Sequence, residues 1–276
     1  LIDLGLFSII LIRGVPLARS GFSAWQGIES KWASLKAISK TIKDLEKNKE
    51  NIKGKSSISS NAPKIIFDNV TYSYDTRNNN TLDSVNFQIE PGEVVGLVGP
   101  SGSGKSTLID FIPRLKIPDK GNILINDVNV KNIQLNHLRK SISFLPQKPQ
   151  ILDGTIRDHI KFGNLDLSDA DIILSLKKAG CEDLINRLDK GINTTIGNDG
   201  LLLSGGERQR IDLARVLARD ASIMILDEPS SNLDLITENL ITTTILEEQK
   251  FNKKTLIFIS HRLKSFKIFD KLIVLN

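Results

Sequence analysis

Four short apolar runs in this chain of 276 residues each finish on a residue that chemistry could use. Val94, Val95, Leu97 and Val98 lead into a glycine-rich stretch and Lys105, while Ile142, Phe144 and Leu145 lead to Gln147. Ile223, Met224, Ile225 and Leu226 lead to Asp227 and Glu228, and Leu256, Ile257, Phe258 and Ile259 lead to His261. Continuous apolar runs suit strands covered on both faces, as in parallel sheets. Helix-length stretches separate them, so the chain reads as an α/β fold with a largely parallel sheet. In open sheets of this kind ligands bind at the carboxyl ends of the strands. Four such endings imply one shared site assembled from distant sequence.

The first ending is the most specific. Gly99-Pro-Ser-Gly-Ser-Gly-Lys-Ser-Thr107 fits the phosphate-loop pattern G-x-x-x-x-G-K-[ST], a match that chance would supply on the order of once in a hundred chains of this length. A strand precedes it, and Ser106 to Leu115 is expected to form a helix. Gly99, Gly102 and Gly104, with Ser101 and Ser103 between them, let the backbone turn its N–H groups toward phosphate oxygens. The helix N-terminus at Ser106 and Thr107 adds positive dipole. Lys105 is then placed to reach the β- and γ-phosphates and the Ser106 hydroxyl to ligate Mg²⁺. Asp227 can hold the same Mg²⁺, and Glu228 beside it can orient and deprotonate an attacking water. An acidic pair after a strand would otherwise read as a helix cap; the phosphate loop changes that reading.

Composition narrows the alternatives. A single cysteine, Cys181, excludes an intramolecular disulfide framework and a cysteine-rich metal site, and three scattered histidines argue against a zinc site. Cys181 reads as a bystander, and His137 and His159 as surface residues. The net charge is +5, with much of the excess between Lys31 and Lys55. That segment reads either as a solvated helix face or as a contact for acidic lipid headgroups. No cleaved signal peptide is recognisable, and the leading residue is Leu, so a longer parent chain is expected. Leu1 to Ile12 is apolar apart from Asp3 and Ser8, too short alone to span a membrane. Trp25, Ile28, Trp32, Leu35, Ile38, Ile42 and Leu45 follow at helical spacing, a stripe suited to packing on a neighbouring helix. Lys47 to Pro63 reads as an exposed linker. Ile65, Phe67 and Val70, then Phe87 and Ile89, read as strands with a turn at Asn78 to Asn80.

Leu203-Ser-Gly-Gly-Glu-Arg-Gln-Arg210, set before a helix-like run from Ile211 to Arg219, resembles the signature motif of ABC ATPases. The resemblance runs from about Ile65 to Leu275. It implies a P-loop NTPase (RecA-like) core with a mostly parallel sheet, an antiparallel β subdomain, an inserted α-helical subdomain at about 149–215, and an N-terminal helical extension. The implied divisions are 1–50, the end of the last membrane helix and its helical extension; 51–63, a linker; and 64–276, the ATP-binding domain. ATP and Mg²⁺ are the implied ligands. Ser204, Gly205 and Gly206 would serve, in trans, the ATP bound on a second such domain, in a homodimer or a heterodimer. Tyr74 resembles the aromatic that stacks on adenine, with Tyr72 as the competing candidate. Gln147 resembles a glutamine that touches Mg²⁺ and water. Ser231 and Asp234 resemble a loop at the dimer interface, and His261 the histidine that bonds the γ-phosphate. Glu207, Pro229, Ser230 and Asn198 depart from the family's commonest residues.

Asp153-Gly-Thr-Ile-Arg-Asp-His-Ile-Lys-Phe-Gly163 and the fused N-terminal layout resemble exporter-type domains. The implied function is ATP hydrolysis that powers export of a substrate, by a domain fused to a membrane domain upstream and sitting on the cytoplasmic face of a plasma or inner membrane. Nucleic acid is not an expected partner. The competing readings are a soluble ABC ATPase acting on nucleic acid or ribosomes, and a non-catalytic module; Glu228 and His261 argue against the second.

Overall fold

The four apolar runs become adjacent parallel strands. The computed structural model describes residues 2–47, 49–50, 54, 56–58, 62–74, 80–197, 203–229, 233–260 and 268–276. The chain divides into two units, Leu1–Asn51 and Ile52–Asn276.

Among the described residues the first unit holds one helix, α1 (Ile2–Lys47), which continues through Pro16. The apolar start and the amphipathic stretch thus belong to one element. The stripe from Trp25 to Leu45 is left uncovered, with its seven apolar members between 50% and 67% exposed. Among the described residues no helix is long and apolar enough to cross a membrane.

In the second unit, β1 (Ile65–Tyr72), β2 (Leu82–Ile89), β4 (Lys120–Ile125) and β5 (Val128–Asn129) form an antiparallel sheet in the order β2-β1-β4-β5. The turn expected at Asn78 and Asn79 lies outside the described residues. The second sheet is parallel, with the order β6-β7-β8-β3-β9, from β3 (Val94–Val98), β6 (Ile142–Leu145), β7 (Ile223–Asp227), β8 (Thr255–Ile259) and β9 (Lys271–Val274). Its side chains sort by the two-residue period of a strand. Val95, Leu97, Ile223, Ile225 and Ile257 join Phe67, Ile123 and Phe111 in one core beside the antiparallel sheet. Val94, Met224, Leu226, Leu256 and Phe258 join a second core built largely from helices. Burial on both faces is why these runs carry no polar alternation.

Among the described residues this unit carries the helices α2 (Lys105–Asp110), α3 (Leu135–Lys140), α4 (Ile156–Lys161), α5 (Asp169–Lys178), α6 (Glu182–Arg187) and α7 (Gly205–Leu217). A further helix, α8 (Leu235–Asn252), follows β7. The helix expected from Ser106 to Leu115 stops at Asp110. Pro113 lacks an N–H to continue the ladder, and Arg114 takes a left-handed backbone at φ 56°. Its guanidinium donates instead to the carbonyls of Val130, Lys131 and Ile133 at 3.0–3.2 Å. The helix expected from Ile211 starts at Gly205, because Ser204 and Glu207 close a capping box around its first turn. Part of the stretch read as an exposed linker is docked: the Ser56 amide donates to Asn132 O and Gln134 donates to Ser56 O at 3.0 Å. Cys181 is buried, and burial pushes its thiol up to about 12, so it stays protonated at neutral pH.

His159 is not a surface residue. Ile156, His159 and Ile160 share the buried face of α4 at helical spacing, and His159 is 1% exposed. Its Nδ1 accepts from the Leu152 N–H at 3.4 Å, and its Nε2 lies 3.4 Å from Asp212 Oδ1 in a long electrostatic contact. Arg215 Nε donates to the same Asp212 oxygen at 2.7 Å and its NH2 to Phe144 O at 3.0 Å, tying α4, α7 and β6 together. Burial alone would push the Asp212 carboxyl up; the His159 contact and the Arg215 charge outweigh it and hold it below the ordinary range. A depressed carboxylate contributes stability above its ordinary pKa and loses it as pH falls through the folded value. His159→Ala, which strips one partner from a buried charge, should cost on the order of 2–4 kcal/mol at pH 7. Urea unfolding checks this, and the gap between variant and wild type should narrow below about pH 4 as Asp212 protonates.

Candidate active site

The parallel register sets one row across the sheet: Leu97 pairs with Ile259 and Ile259 with Asp227, while Leu145 pairs with Leu226 one row back. The carboxyl ends of β3, β6, β7 and β8 therefore reach one edge. A cavity of about 410 Å³ is lined there by Lys105, Ser106, Gln147, Asp227 and Glu228, with Tyr74 and Thr107 on its wall. Ser101 and Gly102 line it too. Gly104 caps α2 at φ 90°, and a Cβ there would meet Leu82 Cδ2 at 2.8 Å. At Gly99 a Cβ would lie 2.2 Å from the Leu275 carbonyl oxygen, so both positions need glycine.

Lys105 is 6% exposed, and its ammonium donates to the Gly99 and Pro100 carbonyls at 2.8 and 2.7 Å. Burial lowers its pKa, while the nearby Asp227 and Glu228 pull the other way. Asp227 ends a strand that is buried throughout, and Glu228 follows it at φ 51°. The Glu228 N–H donates to Ile259 O at 3.0 Å, and its carbonyl accepts from Gln209 Nε2 at 2.8 Å. Burial first, then the Glu228 charge, raise the Asp227 carboxyl from 3.8 to about 6 against the pull of Lys105.

Tyr74 lines the cavity, whereas Tyr72 stands edge-on to Phe111 with centroids 5.4 Å apart and packs on the core. The Tyr74 hydroxyl is 2.9 Å from Thr107 Oγ1, and Lys116 Nζ lies 5.2 Å from its ring centroid while bonding Asp110 at 2.6 Å. The Ser103 Oγ within the loop and the Thr81 Oγ1 are buried with no hydrogen-bond partner among the described residues.

Ser204, Gly205 and Gly206 do not line this cavity. Ser204 caps α7: its Oγ accepts from the Glu207 N–H at 3.2 Å and its own N–H donates to Glu207 Oε2 at 2.7 Å. Arg187 on α6 holds Glu207 Oε1 at 2.6 Å. Among the described residues outside its own helix, none lies within 4 Å of a Cβ placed on Gly205. Asp234 caps α8, accepting from the Ile236 and Thr237 N–H groups at 3.0 Å. Ser231 and His261, and the departing Ser230 and Asn198, lie outside the described residues; β8, which leads toward His261, does end at the cavity. Sequence reasoning missed Thr81, Lys116 and Gln209. Thr81 and Lys116 belong to turns whose course no local pattern specifies. Gln209 was visible only as one letter of a motif.

A phosphate loop after the first strand of a parallel sheet, with acidic residues ending a strand two places along the same sheet, defines a P-loop nucleotide-binding domain. The family profile described as ABC transporter matches residues 82–231, more than half of the chain. The iron-sulfur clusters transporter ATM1, mitochondrial, of Candida glabrata is 36% identical over 99% of this chain and 38% of its own length. An ATP-dependent lipid A-core flippase of Bordetella avium is 38% identical over 77% of this chain and 36% of its own. Among solved structures, that of a bacterial Atm1-family ABC exporter with ATP bound superposes with a TM-score of 0.76 at 35% identity, over 80% of this chain and 38% of that one. The chain belongs to the ABC transporter family and carries its ATP-binding domain, and it spans under two fifths of the length of these relatives.

The raised Asp227 carboxyl has a stability consequence for the nucleotide-free protein. A folded-state pKa above the ordinary value favours the neutral acid, a contribution complete below 3.8 and lost as pH rises through about 6. Asp227→Asn should therefore raise Tm at pH 7.5 by about 2–4 °C. The gain should shrink as pH falls below about 6, as calorimetry across pH will register.

Proposed function

We propose that this chain is the ATP-hydrolysing motor of an exporter. The observation that carries the proposal is the convergence of Lys105, Ser106, Gln147, Asp227 and Glu228 on one cavity at the carboxyl edge of the parallel sheet. The loop from Gly99 to Thr107 cradles the triphosphate with backbone N–H groups, and the Lys105 ammonium, already directed inward, neutralises phosphate charge. The buried Thr81 hydroxyl, on the cavity lining and without a hydrogen-bond partner among the described residues, is apt for a polar ligand. Tyr74 offers an aromatic face for the base; stacking of this type is worth about 1–3 kcal/mol in nucleic-acid systems. Glu228 orients the attacking water and accepts its proton, a role typically worth about 10²–10⁴ in rate.

Mg²⁺ fits the donors present. Among the described residues no three His, Cys, Asp or Glu cluster as a metal site. The Ser106 hydroxyl, the Gln147 amide and the Asp227 carboxylate are a small set of hard oxygen donors, suited to an ion that keeps water and phosphate ligands of its own. When bound, Mg²⁺ supplies charge neutralisation on the phosphates. His261 is the residue assigned to the γ-phosphate and water.

Ser204, Gly205 and Gly206 are not on the lining of this cavity and sit at a helix start, which suits a role in trans at the ATP of a second ABC domain, with Ser231 and Asp234 at the interface between the two. Residues 1–50 are assigned to the end of the last membrane helix and its extension, 51–63 to a linker and 64–276 to the ATP-binding domain, with a helical subdomain at about 149–215. The protein then works at the ATP-containing face of a membrane, joined to membrane helices that select the cargo. Named relatives move iron–sulfur clusters or lipid A-core while matching the same ATP-binding region, consistent with a shared motor and separate selectivity.

Steady-state turnover tests the assignment. Lys105→Ala should weaken nucleotide binding and abolish hydrolysis; turnover near wild type contradicts the phosphate-loop role. Glu228→Gln should bind ATP, lose about 10²-fold or more in rate and accumulate an ATP-bound dimer in gel filtration.

A further inference from the structure

We infer that Gln209 is a positioning residue for Glu228, holding the backbone from which the carboxylate enters the cavity. The inference rests on the proposal that Glu228 orients and deprotonates water. Glu228 occupies a left-handed conformation, φ 51°, disfavoured for a residue with a Cβ. Such a conformation persists only where the surroundings impose it. Two peptide groups flank its Cα, and each is pinned from a different element. The Glu228 N–H donates to Ile259 O on β8 at 3.0 Å. The Glu228 carbonyl accepts from the Gln209 side-chain amide at 2.8 Å. Together these planes set the Cα–Cβ direction.

Gln209 is suited to this work. It is 2% exposed, so little solvent competes for its amide. It stands on α7, one turn from the capping box that fixes that helix's start at Ser204. The following residue, Pro229, has no N–H with which to anchor the turn and narrows the conformations open to Glu228. One hydrogen bond thus makes the direction of the base in one site depend on the helix whose first turn carries Ser204.

The test compares Gln209→Ala, and Gln209→Glu, which keeps the volume but replaces the donor with an acceptor, on the full chain. Each should lower kcat by about 10–100-fold, the cost of a displacement near 1 Å. The KM for ATP and the affinity for a fluorescent ATP analogue should stay within about threefold. The discriminating measurement is the single-turnover rate in a Glu228→Gln background. If Gln209 acts through Glu228, the double variant hydrolyses no more slowly than Glu228→Gln alone. A further loss of the same factor there overturns the inference, because a general structural defect would act in both backgrounds. So does a rise in KM at constant kcat, or a Gln209→Glu variant with wild-type kcat. If Glu228→Gln itself turns over normally, the base assignment falls and the inference with it. If Glu228→Gln is slow and both Gln209 variants are normal, only the inference falls.

Discussion

The parallel pairing of β6, β7, β8 and β3 is the constraint on which the rest of the second unit depends. Parallel strands share a direction, so their carboxyl ends reach the same edge, and a register that aligns Leu97, Ile259 and Asp227 brings Lys105, Asp227, Glu228 and Ile259 to one cavity. The pairing is held by apolar burial on both faces. Slipping any of these strands by one residue would exchange the side chains of the two cores, sending Met224 and Leu226 toward the β-sheet side and Ile223 and Ile225 toward the helices. The site is therefore specified largely by hydrophobic sorting at positions such as Ile223, Met224, Ile225 and Leu226, which do not line the cavity.

On that frame the chemistry is held by backbone conformations that ordinary residues avoid. Gly104 turns the phosphate loop into α2 with a left-handed backbone, and the close approach of Leu82 excludes a side chain there. Glu228 takes a similar backbone while keeping its carboxylate, at the cost of needing neighbours to impose it. Lys105 is buried with its charge facing loop carbonyls, and Asp227 is buried with its charge disfavoured. A site built this way carries polar groups suited to phosphate, the usual trade of stability for function.

The legible parts were those whose signal is local. The phosphate loop spans nine residues whose types each answer to a turn or a contact, and the strands leading to Gln147, Asp227 and His261 announced themselves by unbroken apolar runs bounded by polar residues. The helix after Lys105 was read too long because helix-forming residues surround Pro113, and the missing N–H was given too little weight. His159 was read as exposed, although Ile156 and Ile160 place it on an apolar face; a lone histidine looks polar until the group it packs against, Asp212, is brought in from another helix. The stretch before Ile65 has linker composition, but composition says nothing of the Ser56 amide meeting Asn132.

By itself the sequence determined that an α/β nucleotide-binding domain with a phosphate loop, an acidic strand end and an ABC signature would form, because each of those features is written in a few consecutive residues whose backbone demands are nearly independent of context. Only the tertiary structure decided which tyrosine faces the cavity, since Tyr72 and Tyr74 alternate identically and their fates diverge where one meets Phe111 and the other Thr107. It also decided that Gln209 holds Glu228 and that Ser204 stands away from Lys105. Those relations join residues far apart in the chain, and a contact between distant residues depends on the packing of whole elements, which no short stretch of sequence encodes.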